Sequence, residues 1–296
     1  MFCFVVLHYL VKEETILCVN SILQLIGEKR IIIVDNASPN GSGKELEQIY
    51  SEVPNIDVIV LPENVGFAKG NNAGYLYAKK NYQPESIVIM NNDIQIAQQD
   101  FIITAKELYK AEKYAVLGPD VYATSLNIHQ SPKRLTHYTQ EEVHRLLKQY
   151  EKKCSQKRLT RIKCRIKRVK ALKRFVYHRR IKRNLIDHRN TYYDVPLHGS
   201  CLIFSEPFIQ QRDYAFFNET FMYYETEILD YECQKKKFKT MYTPRLQVLH
   251  HHNVATNQTF QSDIQRTVFM NTTIRESLSA FHTLMEKDGA EEIFSE

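Results

Sequence analysis

The sequence predicts an α/β protein built on a mostly parallel sheet with helices on both faces. Three observations predict it. Apolar runs of strand length alternate with stretches of helical periodicity from Phe2 to Tyr122. Four of those runs stop abruptly in clusters of polar residues. With 296 residues, 43% of them hydrophobic, the chain can bury the core such a sheet needs, as one large domain or two small ones.

FCFVVLHYL reads as the first strand, and VKEETILCVNSILQL, with Ile16, Val19, Ile22 and Leu23 at helical spacing, as the first helix. RIIIVDNAS is the second strand, PNGSG a turn and KELEQIYSE the second helix. IDVIVLPEN is the third strand. The glycine-rich VGFAKGNNAG turns into a third helix that runs to Ala78, Lys79 and Lys80. ESIVIMNND is the fourth strand, DFIITAKELYKAEK the fourth helix and YAVLGPDVY the fifth strand. Regular β-α-β alternation implies parallel strands joined by crossover helices. Such sheets bind ligands at the carboxyl ends of their strands. The polar clusters fall there: His8 and Tyr9, then Asp35 and Asn36, then Asn64 to Asn72, then Asn91, Asn92 and Asp93.

The alternation ends near residue 130. Further on, Ser200 to Phe204 reads as a strand, FFNETFMYYETEILDYECQKKKF as a turn entering a helix, and TMYTPRLQVLHHH as a strand ending in three histidines. Thr259 to Lys287 reads as helical. The expected division is 1–130, an α/β half with the polar strand ends; 131–190, a basic helical insertion; 191–257, a second half of the same domain; and 258–296, a helical C-terminal region.

Composition narrows the function classes. No apolar run approaches the roughly 18 residues of a membrane span. MFCFVVLHYL lacks a basic leader region and a small-residue cleavage site, so a cytoplasmic protein is expected. Cysteines at 3, 18, 154, 164, 201 and 233 form no CxxC pair, which argues against zinc or a disulfide framework. The net charge of +6 is local in origin: Arg145 to Arg183 carries 18 of the 40 basic residues and one of the 34 acidic ones, Glu151. From Leu159 onward, apolar residues at 159, 162, 166, 169, 172 and 176 lie at helical spacing between lysines and arginines. A basic amphipathic helix reads as an element that lies on an anionic membrane surface, peripheral at the inner face of the cell membrane. A solvated hairpin and a dimerisation helix remain open alternatives. The segment's aromatic residues, Tyr150, Phe175 and Tyr177, do not interleave along it as a nucleic-acid platform would need, so no nucleic-acid partner is expected.

VDNASPNGS, ENVGFAKGNNAG, IMNND, HGSCLIFS, FMYYETEIL and VLHHH follow one another in the order found in family 2 glycosyltransferases. The sequence resembles the rhamnosyltransferase-like branch that builds bacterial surface polysaccharide. That resemblance covers nearly the whole chain apart from the basic segment. It implies the GT-A fold and an inverting transfer from a nucleoside diphosphate sugar, UDP- or dTDP-linked, to a glycan acceptor, lipid-linked in many relatives. It also implies Mn²⁺ or Mg²⁺ as cofactor.

The site residues come from the same match. Asp35 corresponds to the family aspartate that contacts base or ribose; capping of the second helix is its bland alternative. His8, Tyr9, Asn36 and Asn64 stand at the same strand ends. Gly66 and Gly70 permit close backbone approach, Lys69 offers charge near a diphosphate, and Asn71 or Asn72 offers amide contacts. Asn91, Asn92 and Asp93 align with the DxD motif. Asp93 matches its metal-binding aspartate, whereas Asn91 replaces the first carboxylate, so Asn91 and Asn92 are expected to orient ribose or diphosphate. His250 matches a histidine near the metal, though His251 and His252 stand beside it. Glu225 and Glu227, separated by Thr226, are the candidate general bases, with Glu225 favoured; the alternative places both as acids stabilised by a helix N-terminus. His198, Gly199 and Ser200 are expected to line the acceptor pocket, or simply to start a buried strand. A non-catalytic scaffold that binds a sugar nucleotide or a membrane is the alternative reading, motivated by Asn91 and Thr226. A nucleotidyltransferase fits less well, since HYLVKEET after the first strand has no glycine-rich loop.

Overall fold

The computed structural model describes residues 1–156, 186–251 and 262–295. Its central sheet begins with β1 (Phe2–His8), β2 (Lys29–Asp35), β3 (Ile56–Val60) and β4 (Ser86–Asn91). These four lie side by side as β3-β2-β1-β4, and every pairing among them is parallel. Register aligns their carboxyl ends: His8 pairs with Asp35, and Leu7 with Asn91. The polar clusters therefore share one edge of the sheet because the apolar runs before them pair in step.

The apolar alternation sorts the core into two layers. Phe2, Phe4 and Val6 of β1 pack with Cys18, Val19 and Ile22 of α1 (Lys12–Leu23), with Leu46 of α2 (Ser42–Tyr50), and with Phe101, Ile102 and Leu108 of α4 (Phe101–Glu112). Cys3 and Val5 face the other way, onto Ala68, Tyr75 and Ala78 of α3 (Gly66–Tyr82). A fully buried Phe or Val contributes about 1.5–3 kcal/mol through the water-exposed surface it removes, so both faces hold the sheet. Gly70 lets α3 lie close: a Cβ there would sit 2.7 Å from Leu7 Cδ1. The close approach expected at this glycine is thus to the sheet.

Beyond β4 the sheet departs from simple alternation. The next strand in the chain, β5 (Ile94–Gln95), leaves for the far edge and pairs with β10 (Thr240–His250). The predicted fifth strand is β6 (Val116–Ala123), but it does not join β4. Antiparallel β9 (Cys201–Ser205), 201CLIFS, enters between them. β10 then adds parallel to β6, β7 (Ile128–His129) turns back on β6, and β8 (Tyr192–Tyr193) pairs with β10. The class stands: a mixed α/β fold with a mostly parallel sheet between helices.

The remaining helices are α5 (Gln140–Ser155), α6 (Glu206–Gln211), α7 (Glu225–Lys235) and α8 (Asp263–Ser295). Helix α5 starts at a capping signal, Thr139-x-x-Glu142, in which the Thr139 side chain accepts from the Glu142 N–H. Its Val143 and Leu147 form a third cluster with Ile228 of α7 and with Ile274, Leu278 and Phe281 of α8. The start of the expected basic insertion thus packs against the rest of the fold through Val143 and Leu147. The predicted amphipathic helix from Leu159 and His252 both lie outside the described residues. Among the described residues, no helix is long and apolar enough to cross a membrane. Cys3, Cys18, Cys201 and Cys233 are free and buried, as small hydrophobes are.

Candidate active site

A cavity of about 640 Å³ opens at the carboxyl ends of the parallel strands. Leu7 and Asn91 reach it from the ends of β1 and β4, and His250 from the end of β10. The N-terminus of α3 brings Gly66 and Phe67, and that of α7 brings Glu225, Thr226 and Glu227. Helix α8 closes one side with Phe269 and Ile274.

One corner gathers oxygen and nitrogen donors. Asp93 Oδ2 lies 3.3 Å from His250 Nε2. His250 Nδ1 donates to Gln130 Oε1 at 2.6 Å, which turns Nε2 toward Asp93. Asp93 Oδ1 is buried and has no hydrogen-bond partner. The peptide N–H of His251 donates to the Asp93 carbonyl at 2.9 Å, tying the end of β10 to the loop after β4. Of the two described histidines here, His250 is therefore the one whose ring is aimed at the carboxylate. An orphan carboxylate oxygen beside an imidazole held by an outer hydrogen bond fits a divalent cation of the Mn²⁺ class, with Mg²⁺ less suited to the nitrogen donor.

Asn91 and Asn92 line the same cavity. Asn92 Nδ2 points back to Thr15 Oγ1 at 3.1 Å, so much of its amide braces α1. On the facing side, His198 Nδ1 and Ser200 Oγ lie 2.8 Å apart, and Gly199 lies between them in sequence. Tyr9, Asn36 and Asn64 complete the predicted residues found here. Asn36 fixes the entry to α3: its Nδ2 donates to the Gly66 carbonyl at 3.1 Å and its Oδ1 accepts from the Val65 N–H at 3.0 Å.

At the start of α7, Glu225 is 6% exposed and Glu227 8% exposed. Burial, with the Glu227 charge adding to it, pushes the Glu225 carboxyl up to about 7; its backbone N–H and Lys133 oppose the rise. Lys133 reaches in from the loop after β7. Its Nζ donates to Thr226 Oγ1 at 2.8 Å and to Glu227 Oε1 at 2.9 Å. Before α7, Tyr223 and Tyr224 adopt left-handed backbone, φ +74° and +67°. Such strain in non-glycine residues concentrates at functional sites, and here it places Phe221, Met222 and both tyrosines along the cavity wall.

His8, Asp35, Lys69, Gly70, Asn71 and Asn72 do not line the cavity. His8 is fully buried; its ring nitrogens meet Thr15 Oγ1 at 2.7 Å and Ser42 Oγ at 2.8 Å, so it clamps β1 to α1 and α2. Burial lowers its pKa to about 4, keeping it neutral. Asp35 is 2% exposed and accepts from the N–H and hydroxyl of Ser38, bracing the turn before α2. Its contacts are thus those of a residue that holds the entry to a helix. Lys69 lies exposed on α3. Asn71 is buried and donates to the Phe67 carbonyl at 2.9 Å. Its neighbour Asn72 bonds the 215–218 loop with both ends of its amide.

Sequence reasoning missed Lys133, Gln130 and the aromatic wall. Lys133 and Gln130 sit in HQSPKR, which has no periodicity and falls at the edge of the basic insertion. Two other features lie apart from the site. Asp120, His129 and His188 gather their ligand atoms within 4.8 Å. Asp120 is already held by His129 at 2.8 Å and by Gln247 at 3.0 Å, and none of the three lines the cavity. A second cavity, of about 650 Å³, flanks α7 beside the His137–Asp230 pair and is lined by the start of β10 and by Tyr193 and Asp194 at the end of the short β8, away from the carboxyl ends of the parallel strands.

Comparison with known proteins agrees with this architecture. The model of the family "Glycosyl transferase family 2" matches residues 3–181. The chain is similar to the low-salt glycan biosynthesis hexosyltransferase Agl10 of Haloferax volcanii, 27% identical over 113 residues, which is 37% of this chain and 34% of that protein. It thus spans about a third of the length of that curated relative. Among solved structures it is similar to S. aureus TarS 1-349, with TM-score 0.52 and 13% identity, over 91% of this chain and 64% of that one. A complex of TarS 1-349 with UDP-GlcNAc matches 42% of this chain and 35% of that one at 20% identity, TM-score 0.36.

Proposed function

The chain belongs to glycosyl transferase family 2, and on that premise we propose that it is a metal-dependent, inverting glycosyltransferase. It moves a sugar from a nucleoside diphosphate donor, UDP- or dTDP-linked, to a glycan acceptor. One observation carries the reading: Asp93 and His250 meet at 3.3 Å in the same strand-end cavity that holds two buried glutamates.

Asp93 and His250 are the residues that would hold the divalent ion. When bound, that ion supplies Lewis acidity that offsets charge on the departing diphosphate. Gln130 keeps the His250 ring turned toward Asp93. Asn36, Asn64 and the α3 N-terminus at Gly66 offer polar contacts to the nucleotide. Tyr223, Tyr224 and Phe269 present apolar faces on which a sugar ring can rest, and His198 with Ser200 lies on the acceptor side. A glutamate at the start of α7 takes the acceptor proton as the hydroxyl attacks opposite the leaving group.

In the finer reading the acceptor is carried on a lipid in surface polysaccharide synthesis, at the cytoplasmic face of a membrane. The cluster of 18 basic residues from Arg145 to Arg183 supports it. Vesicles containing about one-third anionic lipid should co-sediment the protein at low salt and release it at high salt.

The deciding experiment is thermal denaturation against a panel of sugar nucleotides with and without Mn²⁺. A ligand that binds the native state raises the melting temperature. At least one donor should do so only with Mn²⁺, and should be consumed. If no nucleotide sugar binds or is turned over, the enzyme reading falls and a non-catalytic scaffold replaces it.

A further inference from the structure

The two glutamates at the start of α7 are not equivalent. Both oxygens of Glu227 are engaged: Oε1 accepts from Lys133 Nζ at 2.9 Å, and Oε2 accepts from the Thr226 hydroxyl at 3.1 Å. Lys133 also donates to that hydroxyl, at 2.8 Å, so lysine, threonine and glutamate form a closed ring of hydrogen bonds. Glu225 differs. Its Oε1 is buried, has no hydrogen-bond partner and belongs to a side chain that lines the cavity.

We infer that Lys133 is a positioning residue: by committing Glu227 to this ring, it leaves Glu225 as the glutamate that takes the proton from the acceptor hydroxyl. The inference rests on the transferase reading above and settles which carboxylate acts within it. In the step, the acceptor oxygen forms a bond to the anomeric carbon while its proton passes to Glu225. The bond from that carbon to the diphosphate oxygen breaks, and its electron pair leaves with the nucleoside diphosphate. Glu225 then returns the proton to water.

The electrostatics agree with the geometry. A general base works best with a pKa near the operating pH, and burial raises Glu225 into that range. Lys133 and Glu227 act on Glu225 in opposite senses, the ammonium lowering its pKa and the carboxylate raising it. The backbone N–H groups of Tyr223 and Glu225 also lower it, and Asp93, His250, His198 and the phenols of Tyr9, Tyr223 and Tyr224 are the other ionisable groups lining the cavity. A lysine fastened to one glutamate thus tunes the other without touching it.

The test compares Glu225→Gln, Glu227→Gln, Lys133→Met and Lys133→Arg. Nucleotide release from the best donor of the panel is measured against pH, and UDP binding is titrated for each variant. Glu225→Gln should lose turnover by about 10²-fold or more. Glu227→Gln should lose less, and the acid limb of its pH profile should move to lower pH. Lys133→Met should move that limb to higher pH, and Lys133→Arg should restore it. A deeper loss in Glu227→Gln than in Glu225→Gln overturns the inference. So does a tenfold weaker UDP midpoint in Lys133→Met, which would make Lys133 a donor ligand.

A second measurement needs no substrate. The raised pKa of Glu225 means that its contribution to stability is present below the unfolded value near 4.5 and is lost as pH rises through 7. Glu225→Gln should therefore melt higher than the wild type at pH 8, with a smaller difference at pH 5. Glu227→Gln should melt lower at pH 8, because Lys133 loses its counter-ion. The reverse pattern overturns the assignment even if no donor of the panel is turned over, a result that would count against the transferase reading alone.

Discussion

His250 Nε2 faces Asp93 Oδ2 at 3.3 Å, although one residue ends a strand at the far side of the sheet and the other comes just after a central one. The short strand β5 makes this meeting possible by carrying the chain from β4 across to pair with β10. A metal held at this corner must depend on both residues and, through Gln130, on a third. Asp93→Ala and His250→Ala should each abolish the Mn²⁺-dependent part of the thermal shift given by UDP. Gln130→Ala, which removes only the outer hydrogen bond, should weaken Mn²⁺ affinity by about tenfold or more. Isothermal titration of Mn²⁺ in the presence of UDP measures all three, and unchanged affinity in Asp93→Ala would remove the proposed site.

His8 makes an opposite kind of prediction, because the structure takes it out of the cavity. Its folded pKa, near 4, lies below the unfolded value of 6.5. The stability it confers is present above 6.5 and is lost as pH falls toward 4, where the unfolded chain gains a proton that the folded one refuses. The shift corresponds to roughly 3 kcal/mol across that window. Urea midpoints measured between pH 7 and pH 4 should fall in the wild type and fall less in His8→Asn. That variant should also be less stable at pH 7, since it breaks the links to Thr15 and Ser42.

Asn72 shows why the loop before α7 sits where it does. Its Nδ2 donates to the Phe216 carbonyl at 2.6 Å and to Asn218 Oδ1 at 2.8 Å, and its Oδ1 accepts from the N–H groups of Ala215 and Phe216 at 3.0 and 2.9 Å. Asn72→Ala strands buried backbone groups and should destabilise the protein by about 2–3 kcal/mol. In a chain of this size that corresponds to a fall in melting temperature of roughly 4–12 °C. Asn72→Asp keeps the acceptor but turns a carboxylate oxygen toward the Phe216 carbonyl and Asn218 Oδ1, so it should destabilise at least as much.

The first four strands were legible because each is an apolar run that ends in polar residues, and that pattern survives whatever pairing the later strands adopt. The insertion of β9 between β4 and β6 was not legible, because CLIFS reads as a strand without saying where it pairs. Asp93, His250 and the two glutamates, which short motifs carry in the sequence, line one cavity. Asp35 and His8 stand at strand ends yet do not line the cavity, for a physical reason. A strand-end polar residue can turn toward the ligand or back into the adjoining turn, and the choice depends on partners such as Ser38 and Ser42 in that turn. Lys133 was missed because its importance lies in two contacts with α7, made across the fold from a loop with no pattern of its own.

Gly66 is where the donor side of the cavity and its aromatic wall touch. Its φ is +85°, which L-residues with a side chain rarely adopt, and a Cβ there would lie 2.3 Å from the Phe221 carbonyl oxygen. That carbonyl accepts from the Phe67 N–H at 2.6 Å, so α3 starts in direct contact with the loop that carries Phe221 and the tyrosines. Adding one methyl group must either push this loop away or unwind the first turn of α3. Both responses disturb the Asn36 contacts to Val65 and Gly66, which hold the helix N-terminus toward the cavity. Gly66→Ala should therefore destabilise the fold by more than about 1 kcal/mol and raise the UDP midpoint several-fold. Gly289, on α8 with open space around its Cα, is the control. There the same change should leave UDP binding as it was and favour the helix by up to about 1 kcal/mol. Equal effects at the two glycines would show that the contact between Gly66 and Phe221 does not shape the nucleotide side of the site.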